Sequence, residues 1–381
     1  MVWEYIKFNK KKIKLGNQIY LEQKETLESV QQTIEVVFAT DNNYVRHCGA
    51  AIASILLNSD NTSQFKFYIL DGGIKPENKI KLENLKKIRT FEIIYYDMTK
   101  YDFSMFPMNR KYISSATYYR LLLTDLLPKN TKQVIYLDCD IIVERDLKEL
   151  WNIDISSYFA GVVEDEGSIE QQQRLHLPKK NNYFNAGVLF LNIDMLRAFD
   201  IKKKYIEYFN EKEDIITLQD QDILNGVFNG RCVFLPLCWN TNGRIYNGNS
   251  LRKNYKLNEA KIAGYNPSII HYTDKIKPWN YKCNHPLMSE YWKYLNYTDF
   301  KSGMTMFNFL YNLKQILNTI FSINTYGVWY KVNILGLKIK IKSKKLVKYA
   351  IINDFYSRIS DIEDILYEMK EKQFLNYTKG N

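Results

Sequence analysis

An alternation along the first third of the chain restricts its fold more than any other feature. Short apolar, β-branched runs stop at aspartates, and stretches at helical spacing follow them. Ile34-Glu35-Val36-Val37-Phe38-Ala39-Thr40 stops at Asp41-Asn42-Asn43, and Cys48 to Leu57 is then small and apolar at helical spacing. Phe65 to Leu70 stops at Asp71-Gly72-Gly73, followed by an amphipathic stretch from Lys79 to Ile88 and a third strand from Phe91 to Tyr96. Strands alternating with helices of about ten residues imply βαβ units and a mainly parallel sheet. The pattern continues through a helix from Ala116 to Leu127, stopped by Pro128, and an apolar strand from Val134 to Leu137. Gly161–Val163 and Val188–Leu191 read as strands, Lys202–Phe209 and Gln221–Phe228 as helices, and closure is expected near Ile269-Ile270-His271, Trp279 and Trp292. No internal sequence repeat underlies the alternation.

Open α/β sheets bind ligands beyond the carboxyl ends of their strands. Three strands end there in aspartate, at Asp41, Asp71 and Asp138. The third, Ile135-Tyr136-Leu137-Asp138-Cys139-Asp140, puts two carboxylates one residue apart at the mouth of a buried strand. Such a pair suits Mg²⁺ or Mn²⁺, whose shells are commonly completed by diphosphate oxygens and water. A polar strand-to-loop transition gives the same letters, so the context decides. His271-Tyr272 follows the strand-like Ser268-Ile269-Ile270, and Lys277-Pro278-Trp279 comes shortly after. An imidazole ligand tilts the preference towards Mn²⁺, and Lys277 could neutralise a diphosphate as a flexible point charge. His47, His176 and His285 have no such company and read as core or surface groups.

Composition sets the remaining bounds. With 46% hydrophobic and 15% aromatic residues, a chain of 381 residues can bury a substantial core. Its 30 tyrosines suit sugar or base stacking, and equally a biased genome. Five cysteines form no metal-type pair and suit a reducing compartment. With no secretory leader and no apolar run near the ~18 residues of a membrane span, a cytosolic protein is expected. The net charge of +11 is concentrated late, with 13 Lys/Arg against 6 Asp/Glu in residues 301–381. The expected organisation is a Lys-rich appendage (1–33), a catalytic domain (34–298) and a basic, aromatic C-terminal region (299–381).

Six blocks in order resemble glycosyltransferase family 8, the retaining family that includes bacterial lipopolysaccharide galactosyl- and glucosyltransferases and the glycogenins. They are Val37 to Tyr44, Thr117 to Leu121, Tyr136 to Asp140, Tyr183 to Val188, Gln219 to Asn225, and His271 through Lys277-Pro278-Trp279. The resemblance spans roughly residues 34–295 and implies a GT-A-type nucleotide-sugar-binding α/β fold. It implies that Ala39, Thr40, Asp41 and Asn43 bind uracil and ribose, with Tyr44 stacking on the base. Arg120 resembles a donor-binding arginine. Asp138, Cys139 and Asp140 form the motif at the nucleotide sugar. Asp138, Asp140 and His271 resemble metal ligands, and Lys277 the diphosphate partner. Asn185, Ala186, Asp165, Asp220 and Gln221 resemble the residues around the transferred sugar. One position departs: the family often has glycine where Asp274 stands, and a carboxylate is unfavourable beside a diphosphate unless it faces away or pairs with Lys275 or Lys277.

The resemblance implies transfer of galactose or glucose from a UDP-sugar to a surface glycan or glycolipid, with lipopolysaccharide core the leading acceptor and Mn²⁺ (or Mg²⁺) assisting departure of UDP. Retention fits same-face attack, with Gln221 and Asp220 positioning the sugar, or a covalent step on Asp165 or Asp220. Transfer to a protein or storage glucan, and a non-catalytic nucleotide-sugar-binding scaffold, are the alternatives. In the tail, Phe307 to Ile323 is apolar at near-helical spacing and Tyr326 to Ile341 alternates around Gly336, with lysines on the other face. This suits docking on an anionic inner leaflet or a plain β/α appendage. Residues 354–374 read as a charged helix suited to pairing with another, and no nucleic-acid motif is present.

Overall fold

The structure is a computed structural model that describes residues 32–103, 116–178, 182–246, 255–280 and 282–301, and the strand segments 321–326, 329–334 and 337–341. The described residues fall into two compact units. One runs to Lys275 and adds His285–Phe300; the other comprises Ile276–Asn284 and the described residues from Lys301 onward.

The first unit is built on a seven-stranded sheet of order β3-β2-β1-β4-β7-β6-β8. Its strands are β1 (Thr33–Thr40), β2 (Gln64–Asp71), β3 (Glu92–Asp97), β4 (Gln133–Leu137), β6 (Ala160–Glu164), β7 (Phe184–Asn192) and β8 (Cys232–Phe234). β1 pairs in parallel with β2 and β4, β2 with β3, and β6 with β8. The sheet is therefore mainly parallel, as the alternation implies. β7 is the exception, running antiparallel to both β4 and β6. The apolar runs are buried as their composition requires: Val36, Val37, Phe38, Val134, Ile135, Leu137, Val188 and Leu189 are fully enclosed. A small second sheet orders β5 (Ile141–Val143), β10 (Ile269–His271) and β9 (Thr241–Asn242) as β5-β10-β9.

Helix Val45–Leu57 packs against Met288–Leu295, where His47 Nδ1 meets the Tyr291 hydroxyl at 2.7 Å. His47 is thus the satisfied core histidine expected of it. Two expected helices differ in detail. The Lys79–Ile88 stretch is a helix over Pro76–Glu83 that tightens to a 3-10 turn over Asn84–Lys87. Ala116–Leu127 is a helical turn at Ala116–Tyr119, a 3-10 turn at Arg120–Leu122 and a second helical turn at Leu123–Leu126. The tightening coincides with Arg120, whose side chain turns inward to two carboxylates.

In the second unit, β11 (Phe321–Tyr326), β12 (Trp329–Ile334) and β13 (Leu337–Ile341) form an antiparallel sheet, so the alternating tail segment is indeed strand and hairpin. The expected apolar helix continues the wrong way at its end, because Phe321–Ile323 is strand. The appendage over 1–31, residues 307–320 and the 354–374 helix lie outside the described residues.

Candidate active site

Strand register assembles the metal-type cluster. β4 delivers Asp138, whose backbone N–H continues the ladder to the Gly187 carbonyl at 2.9 Å. Asp138-Cys139-Asp140 then turns into β5, and β10 runs antiparallel to β5 with His271 opposite Ile141. The Tyr272 N–H donates to the Asp140 carbonyl at 3.0 Å and locks the corner. His271 Nε2 consequently stands 3.3 Å from Asp140 Oδ1 and 3.9 Å from Asp138 Oδ2. One ligand atom from each of the three lies within 4.8 Å of the others. Two carboxylate oxygens and one imidazole nitrogen at this spacing fit a divalent cation of the Mn²⁺ or Mg²⁺ type. Gly187 makes the room. A Cβ there would run into the His271 ring and stand 2.8 Å from Asp138 Oδ2.

Asp138 is held from behind. Its Oδ1 accepts from Arg120 Nη2 at 2.8 Å and from the Tyr136 hydroxyl at 3.2 Å, which turns Oδ2 towards His271. The guanidinium of Arg120 lies 4.1 Å from the Tyr136 ring centroid, and its Nη1 donates to the Ala186 carbonyl. Its Nε stands 3.0 Å from Asp220 Oδ2. Burial works against the Arg120 charge, but Asp138 and Asp220 more than offset it and raise its pKa. The Thr117 hydroxyl donates to Asp220 Oδ1. Burial nevertheless pushes the Asp220 carboxyl up to about 6, against the pull of Arg120 and Thr117.

A second cluster adjoins the first. Asp165 Oδ1 accepts from the Gly167 N–H at 2.8 Å, and its Oδ2 accepts from Asn185 Nδ2 at 3.1 Å and Gln221 Nε2 at 3.4 Å. Burial raises the Asp165 pKa despite these donors. The Ala186 N–H donates to Gln221 Oε1 at 2.9 Å, so Gln221 bridges β7 and the Asp165 loop. Gln221 and Asp220 open the helix Asp220–Phe228 after Gln219, which is buried with φ 53.

The β1 exit lies beside β4, with Phe38 opposite Leu137. Thr40 is buried, and Ala39 accepts from the Cys139 thiol at 3.3 Å through its carbonyl. Asp41 Oδ1 accepts from the Asn43 and Tyr44 N–H groups at 2.9 and 3.0 Å, shaping the loop into the following helix. Asn43 is exposed. Burial, then the charge of Asp140, raises the pKa of the Tyr44 hydroxyl. Asp71, the third strand-end aspartate, holds the fold together at its own corner. Its Oδ2 pairs with Lys79 at 2.5 Å, and its Oδ1 caps the Gly73 and Ile74 N–H groups.

Lys277 belongs to the second unit. Asp274 faces Gly243, where a Cβ would come 2.5 Å from Asp274 Oδ2 and 3.5 Å from the His285 ring. Its charge also opposes the burial that lowers His285 to about 4. Sequence reasoning missed Asn240, which joins His271 to Asn185, and missed the spatial reason for Gly187.

The family model described as "Glycosyl transferase family 8" matches residues 35–283. Over 276 residues the chain is 33% identical to General stress protein A of Bacillus subtilis, covering 70% of this chain and 94% of that protein. Lipopolysaccharide 1,2-glucosyltransferase of Escherichia coli is 27% identical over 267 residues, 69% of this chain and 78% of that one. The structure of galactosyltransferase LgtC in complex with donor and acceptor sugar analogs matches with a TM-score of 0.63 at 27% identity, covering 70% of this chain and 96% of that one. The mainly parallel sheet with this acidic edge is a GT-A glycosyltransferase fold. The chain belongs to glycosyltransferase family 8.

Proposed function

We propose that the protein is a retaining hexosyltransferase that moves galactose or glucose from a UDP-sugar to a surface glycan, with lipopolysaccharide core as the leading acceptor. The observation that carries this reading is the Asp138–Asp140–His271 cluster at the carboxyl edge of the sheet. Mn²⁺ held there, or Mg²⁺, would offset the charge that builds on the departing diphosphate. In this reading Ala39, Thr40, Asp41, Asn43 and Tyr44 take the uridine, and Lys277 meets the diphosphate. Arg120 fixes the Asp138 carboxylate, and Asn185, Ala186, Asp165, Asp220 and Gln221 surround the hexose. Same-face attack is favoured over a covalent step. Asp165 already accepts three hydrogen bonds, and Asp220 is tied to Arg120 and Thr117, so each acts as a positioning acceptor and not as a nucleophile.

The proposed catalytic domain is 34–298. The lysines of the 299–381 region (Lys331, Lys338, Lys340 and Lys342 among them) would dock it peripherally on the anionic inner leaflet of the cytoplasmic membrane. No helix among the described residues is long and apolar enough to cross a membrane. The test is release of UDP from UDP-galactose and UDP-glucose with Mn²⁺. Turnover abolished by Asp138→Ala supports the reading; tight UDP binding with persistent lack of turnover favours a scaffold. Incubating lipid and protein fractions with radiolabelled donor separates a glycolipid acceptor from a protein one.

A further inference from the structure

Asn240 has no part in the chemistry above, yet it sits where the metal-facing imidazole meets the sugar-facing amides. It is buried at the end of the 3-10 turn Leu237–Asn240. Its Oδ1 lies 2.9 Å from His271 Nδ1, and its Nδ2 lies 2.9 Å from Asn185 Oδ1. Groups of fixed polarity decide the direction of these bonds. The Gly187 backbone N–H can only donate, and it meets Asn185 Oδ1 at 3.0 Å. The other end of the Asn185 amide faces the Asp165 carboxylate at 3.1 Å, which takes its NH₂. The Asn185 oxygen therefore faces Asn240, and only the Asn240 NH₂ can answer it. That turns the Asn240 oxygen to His271, so in the neutral ring Nδ1 carries the proton. Nε2, on the side of Asp140 and Asp138, keeps its lone pair.

We infer that Asn240 is a positioning residue: through the Gly187 N–H and Asn185 it selects the His271 tautomer that presents Nε2 to a cation at Asp138 and Asp140. Ligating histidines commonly donate their second N–H in this way, and loss of the acceptor typically costs about 10–100-fold in metal affinity. Here the acceptor is an amide whose orientation is dictated from the sugar side. An aspartate at this position would still accept the Nδ1 proton but would set two acceptors, its own oxygen and Asn185 Oδ1, against each other.

The inference rests on the proposed metal site, so its test has one arm that needs no metal. Ring ¹⁵N shifts of His271, identified with His271→Gln, are read in EDTA at a pH where the ring is neutral. Mn²⁺ affinity is measured separately by electron paramagnetic resonance, and thermal unfolding in EDTA shows that each variant is folded. The expected result is an Nδ1–H ring in the wild type and in Asn240→Asp, and a ring shifted to Nε2–H in Asn240→Leu. Mn²⁺ binding should weaken by about 10–100-fold in Asn240→Leu and less in Asn240→Asp. An Nε2–H ring in the wild type, or wild-type Mn²⁺ affinity in Asn240→Leu, overturns the inference. A wild type that shows Nδ1–H but binds no Mn²⁺ removes the metal reading instead.

Discussion

The two halves of the site are held in opposite ways. Around Asp165, the proposed sugar half, both Asp165 oxygens, both ends of Asn185 and both ends of Gln221 have partners from this chain. That half is preorganised by the protein alone. In the cluster half, Arg120 and Tyr136 take the back of Asp138 while Asp138 Oδ2, Asp140 Oδ1 and His271 Nε2 converge on one point. One half is tied by side-chain amides and backbone N–H groups, and the other brings two carboxylates and an imidazole within 4.8 Å of one another, a spacing that fits a divalent cation.

Substitutions can break that contrast. The largest effect is expected from Asp138→Ala, which removes a carboxylate of the proposed cation site; UDP release should fall by about 10³-fold or more, read as product per enzyme. Gly187→Ala pushes a methyl between His271 and Asp138. Mn²⁺ affinity should drop, and stability should fall by about 1–3 kcal/mol in denaturant titration. Gln221→Ala acts on the other half, leaving the Ala186 N–H and Asp165 each short of a partner. It should cost about 1–3 kcal/mol in kcat/KM while Mn²⁺ binding stays as in the wild type.

The smallest effect is expected at the rim. Glu166 pairs with Arg244 at 3.2 Å, and burial, then the charge of Asp165, pushes its carboxyl up to about 7 from an ordinary 4.5. A raised carboxyl favours its neutral form in the folded state. Its stabilising contribution is therefore present below the ordinary value and lost as pH rises through about 7. Glu166→Gln should accordingly gain on the wild type from pH 5 to pH 8, by roughly 1 kcal/mol or about 2–4 °C in Tm.

Much of this contrast is legible in the sequence, and the missing parts share a cause. The strands announce themselves by apolar runs that stop at aspartates, and Asp138, Asp140, His271, Asp165, Asn185, Asp220 and Gln221 do converge. The direction of β7 is not legible, because its apolar run would look the same in either orientation and only its partners β4 and β6 fix it. Asn240 is invisible for the same reason. It is one polar residue in a short turn, and its role exists only after β9 and β10 pair and bring His271 to it. Asp71 shows the converse: it ends a strand like Asp41 and Asp138, but a lysine one helix later takes its charge.

The central claim is that the cluster half needs a cation to hold the donor's diphosphate. It is tested most directly by titrating UDP into the full-length protein by calorimetry, with Mn²⁺ and again in EDTA. We predict UDP binding that requires Mn²⁺ in the wild type and that Asp138→Ala abolishes. Equal UDP affinity in EDTA and in Mn²⁺ would contradict it.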